Sequence, residues 1–274
     1  MAEYFNRYGQ NCFAEVEPPD LIYKQQWPFG NWARIIQRKW IVTHEDLGRG
    51  KALGWYDNDT IEPLHHLAFK RIERIQRLCC KDNATTYLEV SKFFIRSYCD
   101  EVFRLKPDMG VMLLRRDPLQ NARSYINRDK DFTLDGVMPY FKKACFPINM
   151  QKLSKFQLYL WQWVEIELRY QRFIETHGIR RHYELKTEDL NNPAAIEEFF
   201  RFFDIELKGR IEVIAPRNTN LSQGRAYTTV TAQDSRAFME FLEMIPGPIM
   251  DRVSYIKDYI PNNGQDGSEQ KRAS

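Results

Sequence analysis

Val111-Met-Leu-Leu114 is a short, wholly apolar run that stops abruptly at Arg115-Arg116-Asp117-Pro118. A run of that length, bounded by charge, predicts a strand buried on both faces, as in a parallel sheet. Asp117 is placed to cap the next element, and Pro118 to stand in its first turn, where a missing N–H costs nothing. A helix is expected over about 118–128, with Ser124 eight residues beyond Arg116. Arg116 and Ser124 then stand at the carboxyl edge of a strand and on the helix leaving it, where open α/β sheets bind ligands. An arginine fork and a hydroxyl beside a helix N-terminus suit a phosphate. Arg115 is the alternative fork, angled to the other face.

The flanking chain supports a parallel sheet. Thr85–Val90 reads as a strand and about 93–105 as a helix, so the middle of the chain alternates strand, helix, strand, helix. Apolar residues at helical spacing mark 61–79, a long helix over about 150–176 stopped at His177-Gly178, and further helices near 194–204, 234–244 and 248–258. Arg180–Thr187 is a further strand, and Lys39–Thr43 a candidate short one. The glycines of Gly48-Arg-Gly-Lys-Ala-Leu-Gly54 predict a loop. The expected fold is α/β: a single domain over 36–260 with a short parallel sheet flanked by helices and a helical C-terminal region. Residues 1–35, with Pro18-Pro19, Pro28 and Gly30, read as an extended N-terminal arm, and the polar residues 261–274 as a disordered tail.

Composition narrows the function. With 40 basic against 37 acidic residues there is no polyanion-attracting field, so nucleic acid is not an expected partner. Five cysteines without a C-x-x-C pair favour reduced thiols and a cytoplasmic setting, conditional on no segment preceding residue 1. No apolar run reaches the length of a membrane span.

Arg116-Asp117-Pro118 followed by Ser124-Tyr125 resembles the 3′-phosphate-binding motif of the sulfotransferases that use 3′-phosphoadenosine 5′-phosphosulfate (PAPS). Tyr183-Glu-Leu-Lys-Thr-Glu-Asp-Leu190 with Pro193 is similar to the family's strand ending in E-D-L, and Glu89-Val-Ser91-Lys92 to its E-x-S step. The three elements stand in the family's order over residues 85–205. The resemblance implies a sulfotransferase or P-loop NTPase-like fold, PAPS as co-substrate, and a small-molecule or glycan acceptor. It also implies that Arg116 and Ser124 grip the 3′-phosphate and that a basic loop near Arg225 closes over the nucleotide. The family's Gly/Ser/Thr-rich phosphosulfate loop is not matched: Gly48-Arg-Gly-Lys51 is the nearest candidate and has Ala52 where a hydroxyl belongs.

Sulfuryl transfer needs a base to take the acceptor proton and a cation to steady the leaving phosphate. His44 and Glu45 are the candidates for base, with a solvated loop pair as the bland reading, and Lys92 is the candidate to reach a phosphate from a strand-end turn, with a surface lysine as its bland reading. No metal is expected, because His65-His66 lack a third ligand at suitable spacing. The expected function is transfer of a sulfuryl group from PAPS to a hydroxyl or amine. The alternatives are a non-catalytic sulfotransferase-like binding or interaction protein and, less favoured, a kinase of the P-loop superfamily. The acceptor and the oligomeric state are not legible.

Overall fold

The computed structural model describes residues 1–16, 49–91, 94–127, 143–214 and 228–261. Over residues 1–16 the expected extended arm is instead a helix and a strand, and the rest of that arm, 17–35, and the expected tail beyond 261 lie outside the described residues. Tyr4, Phe5 and Tyr8 fall on one face of helix α1 (Ala2–Tyr8) and are buried. Strand β1 (Cys12–Val16) follows, with Ala14 buried. The prolines that suggested an arm all lie beyond Val16, so their signal does not apply to the first sixteen residues.

Helix α2 (Arg49–Asp57) replaces much of the expected glycine loop. Glycine in a helix costs about 1 kcal/mol relative to alanine. That cost is offset by Ala52 and Tyr56, one turn apart, which pack with Leu64, Leu67 and Tyr98. Helix α3 (Ile61–Asp82) buries Leu64, Leu67, Ala68 and Arg71, the i, i+3, i+4, i+7 face of an amphipathic helix. Strand β2 (Thr86–Val90) comes next, then a π-type turn over Phe94–Tyr98 leading into α4 (Cys99–Leu105).

Strand β3 (Val111–Arg115) and helix α5 (Pro118–Asn127) stand where the sequence places them. Helix α6 (Lys155–His177) has 23 residues and is about 35 Å long at 1.5 Å per residue. It opens with a capping box between Ser154 and Gln157 and stops at Gly178, whose φ of 59° is the left-handed cap that glycine adopts freely. Strand β4 (His182–Lys186) is followed by α7 (Pro193–Phe202), then α8 (Ala232–Met244), α9 (Gly247–Arg252) and a closing 3₁₀ turn, Ser254–Tyr259.

The strands are parallel, as expected, but among the described residues they form two sheets rather than one. β1 pairs with β2, Cys12 opposite Thr86 through Val16 opposite Val90. β3 pairs with β4, Val111 opposite His182 through Arg115 opposite Lys186. No ladder joins β2 to β3 among these residues. The pairs nevertheless share a core: Phe5 of α1, Ala14, Leu185 and Ile196, Phe199 and Phe200 of α7 are buried together, with Leu88, Val90, Met112 and Leu114 packed against them. A second core surrounds α6, where Leu160, Trp161 and Val164 meet Phe238 and Phe241 of α8 and Val253 and Ile256 beyond it. Each large apolar side chain buried in this way contributes about 1.5–3 kcal/mol.

No disulfide joins the five cysteines. Among the described residues no helix is long and apolar enough to cross a membrane.

Candidate phosphate site at the carboxyl end of the third strand

Alternation along β3 separates the two arginines. Val111, Leu113 and Arg115 are the buried positions. Arg115 bonds Glu167 of α6 at 2.9 Å, reaches Glu184 of β4 at 3.0 Å, and lies 4.1 Å over the ring of Tyr255. Tyr255 in turn donates its hydroxyl to Glu167 at 2.6 Å. Burial works against the Arg115 charge, but the Glu167 carboxylate more than offsets it and holds the guanidinium firmly protonated. Arg115 is therefore committed to the interior and is not the alternative fork.

Arg116 is the first residue beyond the ladder. Its carbonyl accepts the Trp163 indole N–H at 2.8 Å, which fixes the backbone. Its side chain is half-buried and makes no hydrogen bond or ion pair among the described residues. One arginine is thus locked and its neighbour is left available, at the end of a parallel strand.

Asp117 caps α5 as expected, accepting the backbone N–H groups of Leu119 at 2.8 Å and Gln120 at 3.0 Å. Burial pushes its carboxyl up, and those two hydrogen bonds pull it back. The N–H groups of the helix start are thereby occupied, so anion binding here must rest on side chains rather than on the helix terminus. Ser124 stands half-buried on the second turn of α5, about 9 Å along the axis from Pro118 at 1.5 Å per residue.

The same helix tethers the C-terminal region. Arg123 lies 3.6 Å from the Asp234 carboxylate, and the Asn127 amide donates to the Thr228 carbonyl at 2.8 Å. Asp234 also completes a capping box with Thr231 at the start of α8. The closing turn packs against α5, and Trp163 meets the rings of Tyr255 and Tyr259 edge-on at 6.1 and 6.4 Å.

The other expected elements serve the framework. In the E-D-L step, Asp189 accepts the Lys186 backbone N–H at 2.9 Å, and the Leu190 carbonyl accepts the Tyr4 hydroxyl at 2.6 Å, tying α1 to the turn after β4. Glu89 of the E-x-S step bonds Arg71 at 2.6 Å and the Tyr98 hydroxyl at 3.0 Å. Beside it Glu15 takes both ends of Arg74, at 2.6 and 2.8 Å, and the Tyr87 hydroxyl at 2.9 Å. Sequence reasoning missed this cluster. Its one visible sign was Arg71 and Arg74, three residues apart in an otherwise apolar helical stripe.

His44, Glu45, Lys92 and Arg225 lie outside the described residues, as do Lys39–Thr43 and Arg217. Arg225 stands three residues before Thr228, whose carbonyl α5 holds. Among the described histidines, His65 pairs with Glu101 at 3.1 Å and His177, at the end of α6, with Asp100 at 2.8 Å. No group of three or more residues suited to hold a metal occurs among the described residues. A polar notch of about 300 Å³ is lined by Asn11, Thr85, Asp204 and Glu206. It lies at the amino ends of β1 and β2, opposite the edge at which open α/β sheets take ligands.

No family model, no curated protein and no solved structure matches the chain.

Proposed function

We propose that this is a sulfotransferase-like protein that grips the 3′-phosphate of a PAPS-type nucleotide with Arg116 and Ser124. It transfers the sulfuryl group to a hydroxyl or amine acceptor. The observation that carries this reading is the Arg116 guanidinium at the carboxyl end of β3, which makes no hydrogen bond or ion pair among the described residues and has only the Asp117 carboxylate as a charged neighbour. Its neighbour Arg115 has its charge fully matched inside. A charged hydrogen bond to such a group is worth about 1.5–3 kcal/mol. The chemical step is an in-line displacement. The acceptor oxygen or nitrogen forms a bond to sulfur, the bond from sulfur to the 5′-phosphate oxygen breaks, and the acceptor proton passes to a base.

A second reading, a non-catalytic binding protein of the same fold, draws on α2. The nearest candidate for a phosphate-cradling loop is helical from Arg49 onward.

Calorimetry with adenosine 3′,5′-bisphosphate tests the shared part of both readings. Binding that weakens ten- to a hundred-fold in Arg116→Ala is expected. No binding at high micromolar concentration, or unchanged binding in the variant, overturns the phosphate assignment. Sulfuryl transfer from PAPS to a panel of hydroxyl and amine acceptors then separates enzyme from binding protein.

A further inference from the structure

We infer that Tyr259, on the closing 3₁₀ turn, forms the wall against which the base of the nucleotide stacks; the assignment rests on the phosphate reading of Arg116. Three observations place it there. Trp163, which holds the Arg116 carbonyl at 2.8 Å, has the Tyr259 ring as its edge-on neighbour at 6.4 Å. The turn itself is firmly seated, with Val253 and Ile256 fully buried and the Tyr255 hydroxyl committed to Glu167 at 2.6 Å. Tyr259, by contrast, is half-exposed, and its hydroxyl makes no hydrogen bond among the described residues.

The charges around Tyr259 say what kind of group fits. Burial pushes its phenol up; the Arg115 guanidinium opposes this, and the Glu188, Asp117 and Glu167 carboxylates reinforce it. Arg115 and Glu167 offset each other as an ion pair, and the two remaining carboxylates, Glu188 and Asp117, favour a neutral ring that carries hydrogen-bond donors, such as an amino-bearing purine, over a second phosphate. Arg116 takes the phosphate, and the aromatic wall beside it takes the base. Stacking of a base on an aromatic side chain is sequence-tolerant and substantial.

The test compares adenosine 3′,5′-bisphosphate with ribose 3,5-bisphosphate, which has no base, on the full chain by calorimetry. Tyr259→Leu keeps apolar packing but removes the aromatic face. It is expected to weaken the nucleotide about ten-fold and leave the base-free ligand unchanged, while Tyr259→Phe keeps wild-type affinity for both. An equal loss for both ligands, or no loss for either, overturns the role of Tyr259 even where Arg116→Ala abolishes binding. No binding of either ligand to the wild-type chain, or binding insensitive to Arg116→Ala, overturns the phosphate site and Tyr259 with it.

Discussion

Glu15 and Glu89 stand opposite each other in register on neighbouring parallel strands, and each holds an arginine of its own from the same helix. Two like charges side by side in a sheet are destabilising. Arg74 on Glu15 and Arg71 on Glu89, with Tyr87 and Tyr98 filling remaining acceptor positions, turn that repulsion into a link between α3 and the β1–β2 pair. Both carboxylates are fully engaged, so neither is a ready general base despite lying near the carboxyl ends of their strands.

Arg71 has only 2% of its side chain exposed, so its loss strands Glu89 without its main partner. Arg71→Ala is expected to cost about 3–5 kcal/mol, in the manner of other broken buried pairs. Urea unfolding followed by circular dichroism measures it. A change within about 0.5 kcal/mol, the scatter of surface substitutions, would show that the pair is dispensable.

Burial alone would raise the Glu15 carboxyl, but the hydrogen bonds from Arg74 and Tyr87 overcome it and hold it below the ordinary carboxylate range. A depressed folded value contributes stability that is present above the unfolded value, about pH 4.3, and is lost as pH falls through the folded one. Glu15→Gln should therefore be less stable than the wild-type chain at neutral pH, and the gap should close on acidification below that point. Thermal melts at a series of pH values would reveal a constant gap if the carboxylate charge is irrelevant.

Adjacent arginines should behave oppositely. Arg115→Ala breaks a buried pair with Glu167 and uncovers the face of Tyr255, so a loss of about 3–5 kcal/mol is expected. Arg116→Ala removes no intramolecular side-chain bond among the described residues and should leave stability within about 0.5 kcal/mol of wild type. Chemical denaturation of the two variants side by side distinguishes them. Equal destabilisation would mean that Arg116 is a framework residue.

Gly110, just before β3, lies against Phe203, and a Cβ at this position would overlap that ring. Phe203 is held in turn by Phe199, 5.0 Å away, and by Tyr183, so it cannot retreat freely. Gly110→Ala should cost about 1–3 kcal/mol, the usual range for overpacking. A melting temperature equal to wild type would show that the ring can swing aside.

The amino-acid sequence by itself determined the local elements from β2 onward. Apolar period, Asp117 as a cap, Pro118 in a first turn and Gly178 as a stop are all properties of neighbouring residues, and each element they predict is present. Arg116 stood out by its step to Ser124 and the motif that the step resembles, whereas the inward turn of Arg115 was decided by the packing of β3 against Glu167 of α6. What only the tertiary structure decided depends on groups far apart in the chain. Glycines entered a helix at α2 because Ala52 and Tyr56 found a core, and the first eight residues became a buried helix because Phe5 found Phe200. The strands split into two parallel pairs because ladder formation depends on which edges meet, and periodicity does not encode that. The position of Tyr259 beside Trp163, 96 residues apart, is of the same kind: no local pattern records it, and folding alone brings the two rings to the end of β3.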